Sequence, residues 1–516
     1  MIFNGCPLRV ELATGAAQRK LPLIDPPAEQ ERNLANALSP FGMLRGPGGR
    51  SLRVAILSDF VRVPYANGAV FQTRFLYRQL RANGHEVVLV AANDPEASLD
   101  ELAPGTLALP SLPLRSYPGM RLPLPPLPWK LKPREWNFDL VFAQSNSLLI
   151  LFGVWLREMN GTPLLCVNTT HLRTAYDVLL PPFLAKNRLA HAAFRMALEP
   201  LEGFYASLYN ASDGLVVLSE GLRDFWRSRG VEVPIHVIPR AVQSEFHQAM
   251  PVNDPYPELL GPELAGHGGR LLCTGRHVRE KAQDRAIRIF ARHVLPKEPK
   301  ATLTMVGDGP DTGYYKRIAT ECGAAKRVFF TGEVPFGEMP AWYRHADVFL
   351  HASLSETYGN VLAEALWCGC PVVAFADGMG VSAQVLDGVN GILFPAGKTP
   401  TQSSEGDTAM GTTLVELLRD PQRRSQFRDA GVRISRARTS PRAVEQRIAS
   451  AFQDARERAA ASRLTQKAPK SPAARWLRTA RLLGLWSVLH LAISAAGCMR
   501  PLPRRREPVM HPRIWR

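Results

Sequence analysis

Short apolar runs alternate with helical stretches over the first half of the chain. Residues 52–57 form an apolar run that ends at Ser58-Asp59, as a buried parallel strand would. Apolar residues then recur at helical spacing over 69–82, and Asn83-Gly84 ends that helix. Further strand-like runs lie at 86–90, 140–143, 164–167 and 214–218. The pattern predicts a doubly wound parallel sheet, an α/β Rossmann-like domain over 51–250.

The same rhythm starts again after a stretch, 251–269, that is rich in Pro and Gly. Strands are predicted at 270–274, 301–306, 328–331, 348–351 and 371–375, with helices between them. A second Rossmann-like domain is therefore expected over 265–430, and the two domains should face each other across a cleft. A helix over 431–460 is expected to return to the N-terminal domain. The Pro-rich stretch 104–133 can form neither helix nor inner strand and is predicted to be a surface loop.

Most of the net charge lies at the C-terminus. The chain carries +17, but 461–516 alone has twelve Lys or Arg residues and one Glu, so +11 lies there and +6 is left for the body. A nearly neutral body argues against a nucleic-acid partner. Seven cysteines without metal-ligand spacing indicate a reducing, cytoplasmic compartment. Residues 1–50 lack a long apolar region, so they do not read as a secretory signal and are expected to be a poorly ordered extension.

The basic tail contains an apolar run, 482–499, with arginines on both sides. Positive charge on both flanks argues against a spanning helix and for a segment that lies on an anionic membrane surface. A terminal helix packed on the body, or a disordered tail, explains the same pattern about as well. The expected location is therefore cytoplasmic, either free or peripheral at the inner face of the membrane.

The strongest chemical motif follows the strand predicted at 348–351. Glu356 falls in the turn after that strand and Glu364 lies in the next helix, while Gly359 and Asn360 stand at the helix start. A helix N-terminus binds anions through its free N–H groups, and carboxylates beside it can bind hydroxyl groups. Taken alone, Glu356 would more often be a helix cap and Glu364 a solvated residue. The surrounding sequence favours the functional interpretation.

That surrounding sequence resembles the family 4 glycosyltransferases of the GT-B fold. The resemblance is carried by the two Glu residues with seven residues between them, the following Pro371-Val372-Val373-Ala374, and Asn390-Gly391. It extends to 274–281, to Gly307-Asp308-Gly309-Pro310, and to Ala346-Asp347-Val348. In all it covers about 53–460, more loosely in the N-terminal half. It implies a retaining enzyme that uses a nucleotide sugar and no bound metal.

The family's site residues can be carried over to this sequence by position. The Arg and Lys that neutralise the donor diphosphate correspond to Arg276 and Lys281, after Gly275, and two fixed cations can stabilise a departing diphosphate without a metal. The first Glu of the pair, which contacts the donor sugar, corresponds to Glu356, and the second, which contacts the ribose, to Glu364. The donor-binding backbone amides would come from Thr357, Tyr358, Gly359, Asn360 and Val361.

Two segments of the N-terminal half also match the family. Asn168-Thr169-Thr170-His171 resembles the turn whose His faces the sugar and the acceptor, although a lone His is usually structural. Asn67-Gly68-Ala69 resembles the flexible turn next to the acceptor and the phosphates, and an ordinary helix start explains it nearly as well. The segment 237–243 departs from the pattern, because Ala241 and Gln243 stand where Gly and Asp are common.

The resulting expectation is an enzyme that moves a hexose from a UDP- or GDP-sugar to an acceptor hydroxyl. A lipid or a cell-envelope glycan is the favoured acceptor because of the basic tail. A sequence of this kind also leaves open a nucleotide-sugar epimerase of the same fold, or an inactive basic scaffold that binds membrane or nucleic acid. No cofactor is expected, since the nucleotide sugar is itself a substrate.

Overall fold

The computed structural model describes residues 39–59, 68–95, 103–113, 121–125, 136–144, 148–169, 188–247, 253–266, 269–354, 356–397, 399–465 and 471–498. Its N-terminal sheet has seven parallel strands in the order β3-β2-β1-β6-β7-β8-β9. These strands are β1 Arg53–Ser58, β2 Glu86–Ala92, β3 Leu107–Leu109, β6 Leu140–Gln144, β7 Leu164–Val167, β8 Gly214–Val217 and β9 Ile235–Val237. The Pro-rich stretch, expected to be a loop, supplies β3 at the sheet edge and a small antiparallel pair, β4 Ser111–Pro113 and β5 Arg121–Pro123.

The C-terminal sheet has six parallel strands in the order β12-β11-β10-β13-β14-β15. They are β10 Arg270–Thr274, β11 Thr302–Val306, β12 Val328–Gly332, β13 Val348–His351, β14 Val372–Ala376 and β15 Gly391–Pro395. Nearly every residue of the inner strands is buried, as in parallel sheets covered by helices on both faces. The prediction of two Rossmann-like sheets is confirmed.

The helices cover both faces of the sheets. In the N-terminal half they are α1 Gly68–Ala82, α2 Leu149–Asn160, α3 Arg188–Asn210, α4 Glu220–Ser228, α5 Tyr256–Leu260 and α6 Pro262–Ala265. In the C-terminal half they are α7 Gln283–Ile289, which runs into a π-helical turn Phe290–Val294, then α8 Thr312–Glu321, α9 Met339–His345, α10 Asn360–Trp367, α11 Gly380–Gln384, α12 Pro400–Arg419, α13 Pro421–Thr439, α14 Pro441–Thr465 and α15 Pro472–Cys498. Short 3-10 turns lie at Phe41–Met43, Pro47–Gly49, Ser244–Phe246, Arg279–Lys281 and Phe336–Glu338.

Helix α14 packs on the N-terminal sheet although it follows the C-terminal domain in sequence. Its Val444, Ile448 and Phe452 are fully buried in the core cluster of that sheet. The Phe452 ring stacks on Phe41 with centroids 6.1 Å apart and meets Phe142 edge-on at 5.7 Å. Residues 39–50, which the sequence assigned to a poorly ordered extension, therefore belong to the packed body. Residues 1–38 lie outside the described part of the chain.

The apolar run of the tail forms helix α15, which packs on the body. Trp486 is fully buried and its Nε1 donates to the carbonyl of Pro123 at 2.9 Å. Trp155 of α2 donates to Thr479 Oγ1 at 3.2 Å. Of the arrangements that the sequence left open, the structure has the packed helix. Across the described residues, no helix combines the length and the low polarity needed to cross a membrane.

Candidate active site

The predicted donor residues lie on loops at the carboxyl ends of strands β10 and β13, where doubly wound sheets bind ligands. After β10 the backbone turns at Gly275, which has a φ of 134°. Lys281 ends the 3-10 turn Arg279–Lys281, and the next residue, Ala282, has a φ of 48°. A left-handed alanine is a strained conformation that clusters at functional sites. It lets the chain turn from Lys281 directly into α7.

Lys281 and Glu356 form a short, largely buried ion pair. Lys281 Nζ donates to Glu356 Oε1 at 2.6 Å, and Glu356 is only 8% exposed. His351, the last residue of β13, places Nε2 at 3.5 Å from the same oxygen. Burial raises the pKa of Glu356, but the charge of Lys281 and the contact with His351 outweigh burial, so its pKa lies far below the usual range. These contacts favour the ionised form of Glu356.

Glu364 is buried in a different environment. Its Oε2 accepts a hydrogen bond from Tyr343 at 2.9 Å, and the Tyr343 hydroxyl also lies 2.9 Å from Thr274 Oγ1 at the end of β10. Burial raises the pKa of Glu364 to about 7. The hydrogen bond from Tyr343 lowers this pKa, and the negative charge of Glu245 raises it further. The two carboxyl groups of the motif therefore lie in different environments, since contacts with Lys281 and His351 favour the ionised form of Glu356, whereas burial favours the protonated form of Glu364.

The turn that carries Glu356 is held by helix α11. Gly380 N donates to the carbonyl of Glu356 at 2.8 Å, and Gln384 Nε2 donates to the carbonyl of Gly359 at 3.2 Å. Gly359 has a φ of 77°, and a Cβ there would lie 2.9 Å from Leu362 Cδ1. Glycine is thus required just before α10, where the first-turn N–H groups of Asn360 and Val361 have no partner within the helix.

Arg276 lies on the solvent side of the same region. Its side chain is 40% exposed and reaches Glu280 at 3.5 Å. The loop behind it packs closely on the glycine loop after β11, because a Cβ on Gly307 or Gly309 would overlap the backbone of Gly275 or His277. His277 N donates to the carbonyl of Asp308 at 2.9 Å. The two glycine-containing loops therefore fix the backbone from which Arg276 and Lys281 project.

The N-terminal domain meets this loop directly. Thr357 Oγ1 donates to the carbonyl of Thr169 at 2.9 Å, and the Tyr358 hydroxyl donates to the carbonyl of Arg240 at 3.3 Å. Arg240 Nη1 donates to Asn360 Oδ1 at 3.1 Å. The side chains of Thr357, Tyr358 and Asn360 thus join the domains, whereas the sequence had assigned this segment to donor amides alone.

The structure brings two pairs of the predicted site residues together, Lys281 with Glu356 and Gly68 with Asn360. Gly68 opens α1 beside Asn360, since a Cβ on Gly68 would lie 3.0 Å from Asn360 Nδ2. Asn67 and His171 lie outside the described residues. Sequence reasoning did not identify His351, Tyr343 or Arg240 as site residues. Only His351 left a usable signal, because it is a polar residue at the carboxyl end of an apolar strand.

Metal ligands are not grouped in the part of the chain that the structure describes. Among those residues, no three His, Cys, Asp or Glu side chains come together as a metal site would require. The cations close to the predicted diphosphate site are Arg276 and Lys281, which pair with Glu280 and Glu356 respectively.

Two Rossmann-like domains that meet at a loop with the residues Glu356, Thr357, Tyr358, Gly359 and Asn360 define a glycosyltransferase of the GT-B class. The HepE protein of Anabaena, solved in complex with UDP-glucose, has the same fold, with a TM-score of 0.56, 18% identity, and coverage of 78% of this chain and 99% of that one. The model of "Glycosyltransferase Family 4" matches residues 66–246, and that of "Glycosyl transferases group 1" matches 268–412.

Curated relatives support the same assignment. The 2-deoxystreptamine glucosyltransferase of Streptomyces kanamyceticus is 30% identical over 299 residues, which are 56% of this chain and 70% of that protein. The alpha-monoglucosyldiacylglycerol synthase of Streptococcus pneumoniae is 26% identical over 325 residues, 63% of this chain and 71% of that one. The chain belongs to the family 4 glycosyltransferases. It is a glycosyltransferase that uses a nucleotide sugar as donor substrate, and not the epimerase or the inactive scaffold that the sequence alone left open.

Proposed function

We propose that this enzyme transfers a hexose from a UDP- or GDP-sugar to a hydroxyl group of a membrane lipid or cell-envelope glycan, with retention of the anomeric configuration. The observation that carries the proposal is the Lys281–Glu356 ion pair, 2.6 Å long, in the loop where the two domains meet. It places a cation for a leaving diphosphate next to a carboxylate for sugar hydroxyls.

Each predicted residue has a distinct role in this proposal. Arg276 and Lys281 neutralise the diphosphate, and the N–H groups that open α10 bind its oxygens. Glu356 accepts hydrogen bonds from the donor sugar, and Glu364 binds the ribose. Asn67, Gly68 and His171 would face the sugar and the acceptor from the N-terminal side.

Retention is best explained by a same-face reaction. The bond between the sugar C1 and the diphosphate oxygen breaks, a bond from the acceptor oxygen to C1 forms on the same face, and the acceptor proton passes to the leaving diphosphate. Glu356 suits this route better than a covalent one, because its Oε1 is already engaged by Lys281 and is a poor nucleophile.

A direct test combines donor binding and product analysis. Thermal shifts with UDP, GDP and their hexose conjugates identify the donor, since a ligand at a hundred times its Kd adds about 2.7 kcal/mol of stability. The product made from the stabilising donor is then examined by NMR. We expect an axial or equatorial anomeric bond that matches the donor, and an inverted product would refute retention.

A lipid acceptor at the inner membrane surface is supported by helix α15. Its buried face carries Leu482 and Trp486, while Trp476, Leu477 and Leu491 are 65–72% exposed on the outside. Apolar residues next to the exposed arginines Arg475 and Arg481 are typical of a helix that lies on anionic lipid. The S. pneumoniae relative named above is, by its name, a synthase of a glucosylated diacylglycerol.

Surface variants test this membrane contact better than truncation, because removing α15 would uncover the residues on which Trp486 packs. We expect the Trp476→Ser, Leu491→Ser double variant to lose sedimentation with anionic vesicles. The matched control replaces two exposed apolar residues of the C-terminal domain, Leu386→Ser and Val389→Ser. Binding of the parent should also weaken as salt shortens the screening length from about 10 Å at 0.1 M to about 3 Å at 1 M. Equal sedimentation of both variants would refute the membrane role of α15.

A further inference from the structure

Arg240 is a buried arginine at the junction of the two domains. It lies in the loop that follows β9 and is 9% exposed. Its guanidinium carbon is 6.0 Å from the centre of the Tyr358 ring, and its Nη1 donates to Asn360 Oδ1 at 3.1 Å. A Cβ on Gly68 would overlap the guanidinium, so glycine is the residue that lets α1 start this close to it.

The charge of Arg240 has no acidic partner among the described residues. Its Nε is buried without a hydrogen bond, and its Nη1 donates to a neutral amide, that of Asn360. Burial lowers its pKa to about 10, against the fields of Tyr358 and Glu356, so the side chain is still cationic at neutral pH. A buried cation of this kind is costly unless an anion accompanies it.

The surroundings add further positive potential. Gly68 is the first residue of the fifteen-residue helix α1, and Asn360 is the first residue of α10. Helix N-termini carry a partial positive charge. Two of them therefore add positive potential at the guanidinium of Arg240, which already lacks an acidic partner among the described residues. The nearby carboxylate, Glu356, is bound to Lys281. The arrangement fits an anion with several oxygens that bridges the two domains.

We propose that Arg240 binds the diphosphate of the nucleotide-sugar donor from the N-terminal domain, opposite Arg276 and Lys281. The inference rests on the proposed function, because it places the donor diphosphate at the start of α10. Arg240 Nε and the remaining Nη2 donate to phosphate oxygens, and this contact draws the N-terminal domain onto the bound donor. A purely structural role is the competing explanation, in which Arg240 only holds Asn360.

The experiment compares ligands with and without phosphate on the full chain. Titration calorimetry measures the Kd of the parent, Arg240→Met and Arg240→Lys for UDP and GDP and for the nucleosides uridine and guanosine. Arg223→Met serves as the matched control, since Arg223 is 42% exposed and pairs with Glu220 on the surface of α4. We expect Arg240→Met to weaken the preferred nucleoside diphosphate at least tenfold, about 1.4 kcal/mol, and to leave the nucleoside unchanged. Arg240→Lys should recover part of the loss, because it restores the charge without the planar fork.

Every outcome of these titrations either supports or overturns the role of Arg240. Unchanged diphosphate affinity in Arg240→Met, or an equal loss for nucleoside and diphosphate, would overturn the role of Arg240 and leave the proposed function standing. A parent protein that binds neither UDP nor GDP would overturn the proposed function together with this inference. If Arg240→Met does not fold, a second measurement uses Arg240→Lys. In that variant and in the parent, inorganic pyrophosphate is titrated against the bound nucleotide. Pyrophosphate that competes equally well in Arg240→Lys and in the parent then counts against the contact.

Discussion

Replacing Glu364 by glutamine should stabilise the protein at alkaline pH while it weakens nucleotide binding. Glu364 is buried beside Tyr343 and carries a pKa of about 7, against an ordinary value of 4.5. Glutamine has nearly the same shape, and its amide oxygen can still accept the hydrogen bond from Tyr343. The substitution therefore removes the titration of the site and little else.

The sign and size of the effect follow from linkage. The pKa of Glu364 is higher in the folded state than in the unfolded state. Between about pH 4.5 and 7, therefore, Glu364 is mostly protonated in the folded state and mostly ionised in the unfolded state. The parent thus loses stability as the pH rises through this window, and the full cost is present above pH 7. A shift of about 2.5 pH units corresponds to about 3 kcal/mol. Glu364→Gln should be similar to the parent at pH 4.5 and more stable by a few kcal/mol at pH 8.

Urea unfolding at several pH values between 4.5 and 8 measures this difference. Glu321→Gln, at the exposed end of α8, is the control and should show no such trend. A stability difference between Glu364→Gln and the parent that stays constant with pH would refute the reasoning. The affinity of the parent for its nucleotide should rise from pH 6 to 8, because an ionised carboxylate is the stronger acceptor for ribose hydroxyls. The variant should show weaker and pH-independent binding.

Three further predictions concern the cleft. Lys281→Ala and Glu356→Ala should each lower kcat/KM more than tenfold, about 1.4 kcal/mol of barrier, with an unchanged circular dichroism spectrum, and parent-like turnover would remove that residue from the site. Gly68→Ala should destabilise the protein by about 1–3 kcal/mol, because its Cβ overlaps Arg240. Gly203→Ala, exposed within α3 with open space around it, should instead stabilise by about 0.5–1 kcal/mol, and urea unfolding separates the two. Transfer should persist in excess EDTA, and activity that vanished in chelator and returned with magnesium or manganese would contradict metal independence.

The inner strands could be predicted because burial on both faces leaves an uninterrupted apolar run. The predicted bounds of the strands Leu164–Val167, Arg270–Thr274 and Val348–His351 agree with the structure. The edge of the N-terminal sheet could not be predicted in this way. Strand β3 pairs on one side only, is three residues long and lies in a Pro-rich stretch, so its Leu-Ala-Leu run is too short to predict a strand.

The candidate site was predictable where its residues follow one another in sequence. The turn from Glu356 to Asn360 is local, so its glycine and its carboxylate could be interpreted together. The contacts of Tyr343 with Glu364 and of Arg240 with Asn360 join residues 21 and 120 positions apart. The first contact depends on how helices α9 and α10 pack within the C-terminal domain, and the second on how the two domains are placed. No local sequence pattern encodes either arrangement. The packing of α15 on α2 was open for the same reason.

The position of Phe452 has a consequence for how the chain folds during synthesis. The core of the first domain contains Phe41 and Phe142, yet it is completed by Val444, Ile448 and Phe452 from helix α14. A ribosome releases the chain from its N-terminus, so the first domain emerges without the helix that covers one face of its sheet. The whole second domain must be translated before that face is closed. Until then that face of the sheet stays uncovered, and the final step of folding joins segments about 400 residues apart.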